Sequence, residues 1–395
     1  MNKKTLKDLN VENKRVLVRV DFNVPIKEGI ITDTNRIEAS LTTIKYLIDN
    51  NAKVILMSHL GRPKGEPKPE FSLKPVAQKL SEMIGQDVKF IDSDKVVDDS
   101  VIEESKKLQP KEIMLIQNTR FRKEEEKNDE TFSKELSQLA DLYVNDAFGT
   151  SHRAHASNVG VSKFLPSAVG FLVQKEIEIM GKALENPERP FTAILGGAKV
   201  SDKIGVIENL LDKVDTILIG GAMAFTFIKS QGKNVGKSLI EEDKLDLAKS
   251  LLEKAQEKGV KIFLPVDFVV AKEMSEESDS KVINIDDFTD DIAGFDIGTK
   301  TIKIFDEEIQ KSKTIVWNGP MGVFEIEQFS KGTFEIANSL VKSKATTIVG
   351  GGDSASAIAK SGNKDKVTHV STGGGASLEF LEGKVLPGID CIDER

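Results

Sequence analysis

The chain has 395 residues, 39% apolar and 30% charged, with a formal net charge of −8 at pH 7. That balance describes a globular protein of two or three domains and argues against a broad electrostatic role on nucleic acid or membrane. A single cysteine, Cys391, excludes an intramolecular disulfide framework and a cysteine-based zinc site.

The opening MNKKTLKDLN lacks the apolar core of a signal peptide, and no apolar run approaches the ~20 residues of a bilayer span, so a cytoplasmic location is expected. Arg15 to Val20 reads as the first strand and runs into Asp21-Phe22-Asn23. Ile37, Leu41, Ile44, Leu47 and Ile48 predict a helix over Asn35 to Asn50. Lys53 to Ser58 is the next strand and ends in His59-Leu60-Gly61-Arg62. Phe71 to Ile84 reads as a helix, Asp87 to Ile91 as a weaker strand, and Glu112 to Ile116 as a strand leading to Arg120 and Arg122. Lys123 to Lys127 reads as a solvated charged loop or the start of a helix. Leu142 to Val144 is a further strand, followed by His152, Arg153 and His155.

Strands alternating with helices predict a parallel, doubly wound sheet, in which ligands bind beyond the carboxyl ends of the strands. Those ends carry His59, Arg62, Arg120, Arg122, His152, Arg153 and His155, with Arg36 at the start of the first helix. Such an excess of cationic and imidazole groups, in an acidic protein, predicts a pocket for a small carboxylate or phosphate anion. His152 and His155 read individually as hydrogen-bonded loop residues, and no histidine spacing supports a metal site.

Gly170 to Glu185 reads as a long helix broken by Asn186-Pro187-Glu188-Arg189-Pro190. The expected organisation is a first domain over 1–169, a connecting helix and hinge over 170–189, and a second domain over 190–385. Beyond the hinge, four strands run into glycine turns: at Gly196-Gly197, Gly220-Gly221, Gly350 to Gly352 and Gly373 to Gly375. A glycine turn leading into a helix lets backbone N–H groups approach a phosphate. One such turn reads equally well as packing; four point to a phosphate chain. Lys199 and Lys203, four apart, are expected to share a helix face, and Asp353 is a candidate Mg²⁺ carboxylate. Thr314 to Trp317 is another strand, ending in a polar turn from Asn318 to Glu325.

Two look-alike motifs are set aside. Gly232 to Ser238 is one residue short of a P-loop and follows an apparent helix, so it reads as a surface loop. Gly350, Gly352 and Ala355 fit a dinucleotide fingerprint, but the acid expected after the next strand is absent at His369 to Thr372. A nicotinamide enzyme is therefore the second reading, and a non-catalytic nucleotide binder the third. The first is phosphoryl transfer between a nucleotide and a small anionic acceptor.

The segments RVDFNVP (19–25), SHLGRPKG (58–65), SHRAHAS (151–157), GGAKVSDKI (196–204), PVDFVVA (265–271), WNGPMGVFE (317–325), VGGGDS (349–354) and STGGGASLE (371–379) carry a resemblance, from end to end, to the phosphoglycerate kinases. The resemblance implies two Rossmann-like α/β domains joined by a long helix, with the C-terminal segment 386–395 returning to the first. It implies a monomer that transfers phosphoryl between 1,3-bisphosphoglycerate and ADP, giving 3-phosphoglycerate and ATP. It assigns the phosphoglycerate to Asp21, Phe22, Asn23, Arg36, His59, Leu60, Gly61, Arg62, Arg120 and Arg153. It assigns Mg-nucleotide to Gly196, Lys199, Lys203, Gly220, Gly221, Gly294, Asn318, Glu325, Gly351, Gly352, Asp353 and Ser354, with Asp353 on the metal. Arg36, Lys199 and Lys203 are the expected catalytic cations, and Gly373, Gly374 and Gly375 the backbone donors. Ala222, Thr299 and Ser354 depart from the commonest form of the family without removing a charged group.

Overall fold

The computed structural model describes residues 2–395, which divide into two compact units. The first extends to Glu178 and takes in Val385–Arg395; the second is Ile179–Lys384. The unit boundary falls inside one helix, Phe171–Glu185.

In the first unit the chain runs β1 (Arg15–Arg19), a hairpin of β2 (Ile26–Lys27) and β3 (Ile30–Ile31), α1 (Asn35–Asp49), β4 (Lys53–Met57), α2 (Lys74–Ile84), β5 (Val88–Ile91), α3 (Asp99–Lys107), β6 (Ile113–Ile116), α4 (Glu130–Ser137), β7 (Leu142–Asn145) and β8 (Ser167–Val169), and enters α5 (Phe171–Glu185). Six strands form a parallel sheet in the order β5-β6-β4-β1-β7-β8. The chain leaves β1 for β4 on one side and later returns to β7 on the other. That is the switch point where α/β sheets open a crevice. α1 turns Ile37, Ile44 and Leu47 inward onto Val16, Val18, Val54 and Leu56, all fully buried. The helix predicted from Phe71 begins at Lys74 instead. A tight turn at Pro69–Phe71 precedes it, and Pro75 fixes the first turn. α3 and α4 start where aspartates cap them: Asp98 accepts from the N–H groups of Ser100 and Val101, and Asp129 from that of Phe132.

The second unit continues with β9 (Phe191–Leu195), α6 (Ile204–Leu210), β10 (Thr216–Ile219), α7 (Met223–Ser230), α8 (Leu245–Glu257), β11 (Lys261–Phe263), β12 (Asp267–Ala271), β13 (Lys281–Asn284), β14 (Ala293–Ile297), α9 (Thr299–Lys311), β15 (Thr314–Asn318), α10 (Lys331–Lys342), β16 (Thr346–Gly350), α11 (Gly352–Lys360), β17 (His369–Val370) and α12 (Gly375–Leu381). α13 (Pro387–Asp390) lies in the tail that packs with the first unit. Its parallel sheet has the order β11-β10-β9-β15-β16-β17, so the switch point lies between β9 and β15. All four glycine turns follow strands of this one sheet. An antiparallel sheet, β13-β12-β14, was not foreseen. It packs Phe268 against Phe225 and Phe288 in a core of its own, apart from the one around Trp317, Phe305 and Ile336. Among the described residues no helix is long and apolar enough to cross a membrane.

Candidate functional site

The first unit gathers its polar groups beyond β1, β4 and β6. Arg36 Nη1 donates to Asp21 Oδ1 at 3.2 Å and to the Asn23 carbonyl at 2.9 Å. Asn23 Oδ1 in turn accepts from the Gly61 N–H at 2.8 Å, and the Gly61 carbonyl accepts from Arg120 Nη1 at 3.0 Å. Asn118 clamps Leu60 from both sides, through the Leu60 N–H at 3.1 Å and the Leu60 carbonyl at 2.7 Å. Phe22 is buried, and its N–H donates to Ser58 Oγ. Asp21, Asn23, Arg36, Leu60, Gly61 and Arg120 thus form one linked network. Arg62 and Arg153 stand exposed, with Arg153 Nε on His152 at 3.4 Å.

Two sequence readings change here. Arg122 is not part of the network: it pairs with Glu124 and Glu135 and stacks its guanidinium on Phe132. The stretch 123–127 is not simply solvated, because Glu125 is fully buried. Its carboxylate accepts from the Ser157 N–H at 2.8 Å, and its carbonyl from Ala156 at 2.9 Å. It therefore fixes the loop that carries His155.

Burial, with Arg19, Arg120, Arg36 and His155 around it, holds His59 well below the ordinary histidine range. His155 is lowered to about 4, chiefly by burial, with Glu125 opposing. Both rings are therefore neutral near pH 7, and the positive charge of this cluster belongs to its arginines. Arg19, the last residue of β1, is 1% exposed and was not singled out from the sequence. An arginine that continues the apolar run Val16 to Val18, directly followed by Val20, is the signal that could have found it.

In the second unit a cavity of about 600 Å³ opens at the same edge as the glycine turns. Gly221, Gly294, Glu325 and Asp353 line it, together with Gly197 and Ala222. Its other wall is apolar, with Phe225, Leu239, Phe268, Met274 and Val323, and this wall was not foreseen. Lys237, from the loop set aside as a false P-loop, also reaches the cavity. That loop is still no P-loop: Ser238 Oγ accepts from the Gly294 N–H at 2.9 Å and so braces the lining.

Other candidates sit beneath the lining. Gly196 lies where a Cβ would come within 2.1 Å of the Pro320 carbonyl, and at Gly220 one would come within 2.4 Å of Met321 Sδ. Asn318 donates to the Gly350 carbonyl and accepts from Lys203 Nζ. Ser354 is buried, and its Oγ accepts from the Gly319 N–H at 2.6 Å, which fixes the turn after β15. Gly351, with φ of +94°, leads into α11, where Gly352 and Asp353 are exposed. Gly373 donates to Ser371 Oγ, and Gly374 and Gly375 open α12. Thr299 lies at the exposed start of α9, outside the lining.

Lys199 and Lys203 do not share a helix face. Both precede α6, because the helix begins only at Ile204; Lys203 ends a turn closed by its N–H on the Val200 carbonyl, and Lys199 lies before that turn. Lys199 is exposed; Lys203 is part-buried. Burial lowers the ammonium of Lys203 from its usual value, while Asp202, Asp353 and Glu382 oppose the shift.

The phosphoglycerate kinase family model matches residues 6–384. A phosphoglycerate kinase of Finegoldia magna is 99% identical over all 395 residues and is covered in full. One from Clostridium tetani is 56% identical over the whole of this chain and 98% of its own. Among solved structures, the phosphoglycerate kinase of Coxiella burnetii superposes with a TM-score of 0.90 at 46% identity, over 98% of both chains. That of Pyrococcus horikoshii gives 0.82 at 35%, again over 98% of both. Likeness at this identity over whole chains extends to sequence as well as fold, and the chain belongs to the phosphoglycerate kinase family.

Proposed function

We propose that this chain transfers a phosphoryl group reversibly between 1,3-bisphosphoglycerate and ADP, giving 3-phosphoglycerate and ATP. The observation that carries the reading is the first unit's polar cluster: arginines supply charge and donors, while both imidazoles are neutral and low in basicity. Such a cluster suits an anion and offers no general base. None is needed, because the acceptor in the ATP-consuming direction is a carboxylate, ionised near pH 7 with an ordinary pKa of about 4. Catalysis then rests on positioning and on charge stabilisation.

Asp21, Phe22, Asn23, Arg36, His59 to Arg62, Arg120 and Arg153 are assigned to the phosphoglycerate. The cavity of the second unit is assigned to the nucleotide. Its apolar wall would take the base, Glu325 the ribose, and the turns at Gly196-Gly197, Gly220-Gly221 and Gly351 to Ser354 the phosphates. Arg36, Lys199 and Lys203 would neutralise the transferring group, with Gly373 to Gly375 adding N–H donors. Mg²⁺ fits this donor set. Among the described residues no cluster of three metal-binding side chains exists, and Asp353 is a single exposed carboxylate at the glycine turn. Mg²⁺ takes one or two carboxylates and completes its shell from phosphate oxygens and water. Asp353 would hold it, and when bound it would supply positive charge against the phosphate chain.

Transfer demands that acceptor and donor phosphate touch, so α5 is assigned as the hinge about which the units close when both substrates are bound. The setting is the cytoplasm, and the working form a monomer acting on small molecules. The test is an assay with Mg-ATP and 3-phosphoglycerate, coupled through glyceraldehyde-3-phosphate dehydrogenase to loss of NADH. Loss that needs both substrates and stops on chelation of Mg²⁺ is the expected result. No loss, with the coupling enzymes verified, overturns the substrate assignment.

A further inference from the structure

We propose that Arg19 is a positioning residue for the phosphoglycerate pocket: its guanidinium holds His59 in the neutral tautomer with the proton on Nε2, the nitrogen that donates to the bound anion. The inference rests on the substrate reading above and deepens it.

Arg19 is built into the unit rather than presented to a ligand. All three of its guanidinium nitrogens are engaged within the unit. Nε donates to Ser157 Oγ at 2.8 Å, Nη1 to the Val20 carbonyl, and Nη2 contacts His59 Nδ1 at 3.1 Å. The side chain is 1% exposed, so water does not replace these partners.

The contact with His59 has only one chemical sense. A guanidinium has donors and no acceptor, so Nδ1 must accept and carries no proton. A neutral ring with a bare Nδ1 is protonated at Nε2. A doubly protonated ring would set two positive N–H groups against each other in a buried site. The remaining groups around the ring act in the same direction. Arg36 approaches from α1, Arg120 from the turn after β6, and His155 from the loop after β7. Of the nearby acids, Asp21 pairs with Arg36, and Glu125 accepts from the Ser157 N–H through Oε1 while its buried Oε2 has no hydrogen-bond partner.

The arrangement also strengthens the donor. A cation hydrogen-bonded to one imidazole nitrogen withdraws electron density from the ring and polarises the N–H on the other. Arg19, held in place by Ser157 and through it by Glu125, would act on the substrate through His59 without touching it. A purely structural arginine would support the sheet edge and leave the ring's tautomer and titration indifferent to its presence.

Long-range ¹H–¹⁵N correlation spectra of the ligand-free, full-length protein test this directly. The expected result is a His59 ring with Nδ1 unprotonated and Nε2 protonated, unchanged as the pH falls to about 5, below the ordinary midpoint near 6.5. An imidazolium, or a proton on Nδ1, at neutral pH overturns the proposal without any variant being made. In Arg19→Met, which keeps the bulk and removes the donors, His59 should titrate closer to about 6.5. KM for 3-phosphoglycerate should rise about tenfold at pH 7.5 and acquire a new pH dependence, while KM for ATP holds. Loss of stability with the tautomer, titration and KM all unchanged would make Arg19 a strut only. Should Arg19→Met fail to fold, the wild-type spectra still decide the tautomer, and Arg19→Lys, which keeps the charge and loses the fork, replaces it. Finally, 3-phosphoglycerate added to the wild-type protein should shift the Nε2 proton. No shift, with the tautomer as expected, refutes the donation and the substrate assignment while leaving the Arg19 contact standing.

Discussion

Gly221 is where three backbone turns of the second unit meet, and Gly221→Ala should damage both stability and nucleotide binding. Its φ is +69°, a region that costs an L-residue roughly 1–2 kcal/mol. A Cβ there would lie 2.5 Å from both the N and the O of Gly197, and 2.9 Å from the Pro320 carbonyl. These are backbone atoms, so no side chain can rotate away. Ordinary contact begins at 3.4 Å, so the turns must separate by 3.4 − 2.5 = 0.9 Å. Overpacking of this kind costs roughly 1–3 kcal/mol, which brings the total to about 2–5 kcal/mol. The same separation strains the bonds from the Gly197 N–H to Pro320 and from the Gly221 N–H to Met321, which set the cavity wall. KM for ATP should therefore rise about tenfold or more, with KM for 3-phosphoglycerate little changed. Gly85→Ala is the control: its φ is +73°, yet nothing lies within 4 Å of the added carbon. It should lose only the conformational part. Urea midpoints and KM values for both variants decide the matter. Equal losses in the two, or an unchanged KM for ATP in Gly221→Ala, would refute the steric argument.

Stability should fall as the pH rises from about 4 to about 8, because two buried carboxyls have raised pKa values. Asp146 is raised to about 7 and Asp296 to about 8, each chiefly by burial. A raised native pKa gives stability that is complete below the unfolded value, near 4, and lost as the pH climbs through the native one. For Asp146 the full loss is on the order of 4 kcal/mol. The acids lowered to about 2, Asp8, Asp98 and Glu104, act below this window. Urea midpoints across the range should flatten in Asp146→Asn and in Asp296→Asn, and slopes parallel to wild type would sink the assignment. Arg36→Ala and Lys199→Ala should each lower kcat by about a hundredfold; values within a few-fold of wild type in both would remove them from the catalytic set. Closure about α5 should shrink the radius of gyration seen by small-angle scattering when both substrates are added, and an unchanged profile counts against the hinge.

The parallel sheets were legible because strands covered on both faces read as short apolar runs, and glycine marks where each one ends. Thr314 to Trp317 and Thr346 to Val349 are of this kind, and they lie side by side as β15 and β16. The antiparallel sheet was not legible, for the opposite reason. β13 is mostly exposed and reads Lys-Val-Ile-Asn, too short and too mixed for any period to register. The helix placed under Lys199 and Lys203 failed through a boundary. α6 has only seven residues, and nothing in Ala198 to Lys203 separates a first turn of helix from the loop before it.

The site divides along the same line, between what residue type reveals and what only partners reveal. Arg120 and Arg122 stand two apart after one strand, with the same charge. One reaches the Gly61 carbonyl within the polar network; the other is held by Glu124, Glu135 and Phe132. Sequence gives both the same standing, because Glu124 is near enough in the chain to pair with either arginine and Glu135 reaches Arg122 only once α4 packs. The apolar wall of the cavity is hidden more deeply. Phe225 comes from α7, Phe268 from β12 and Met274 from the loop after it, so no helical or strand period links them. Each alone reads as core, and Phe225 and Phe268 are indeed core, stacked at 4.6 Å while also lining the cavity. Arg19 is the contrary case. In RVLVR the three residues between Arg15 and Arg19 are apolar, and a charge buried beside them is tolerated only when donors and acceptors are arranged around it. The five residues of the strand are enough to state that demand. What the fold adds is the identity of the partner, His59, and it is through this contact that, on the proposal above, a buried charge at the end of a strand would bear on the binding of an anion.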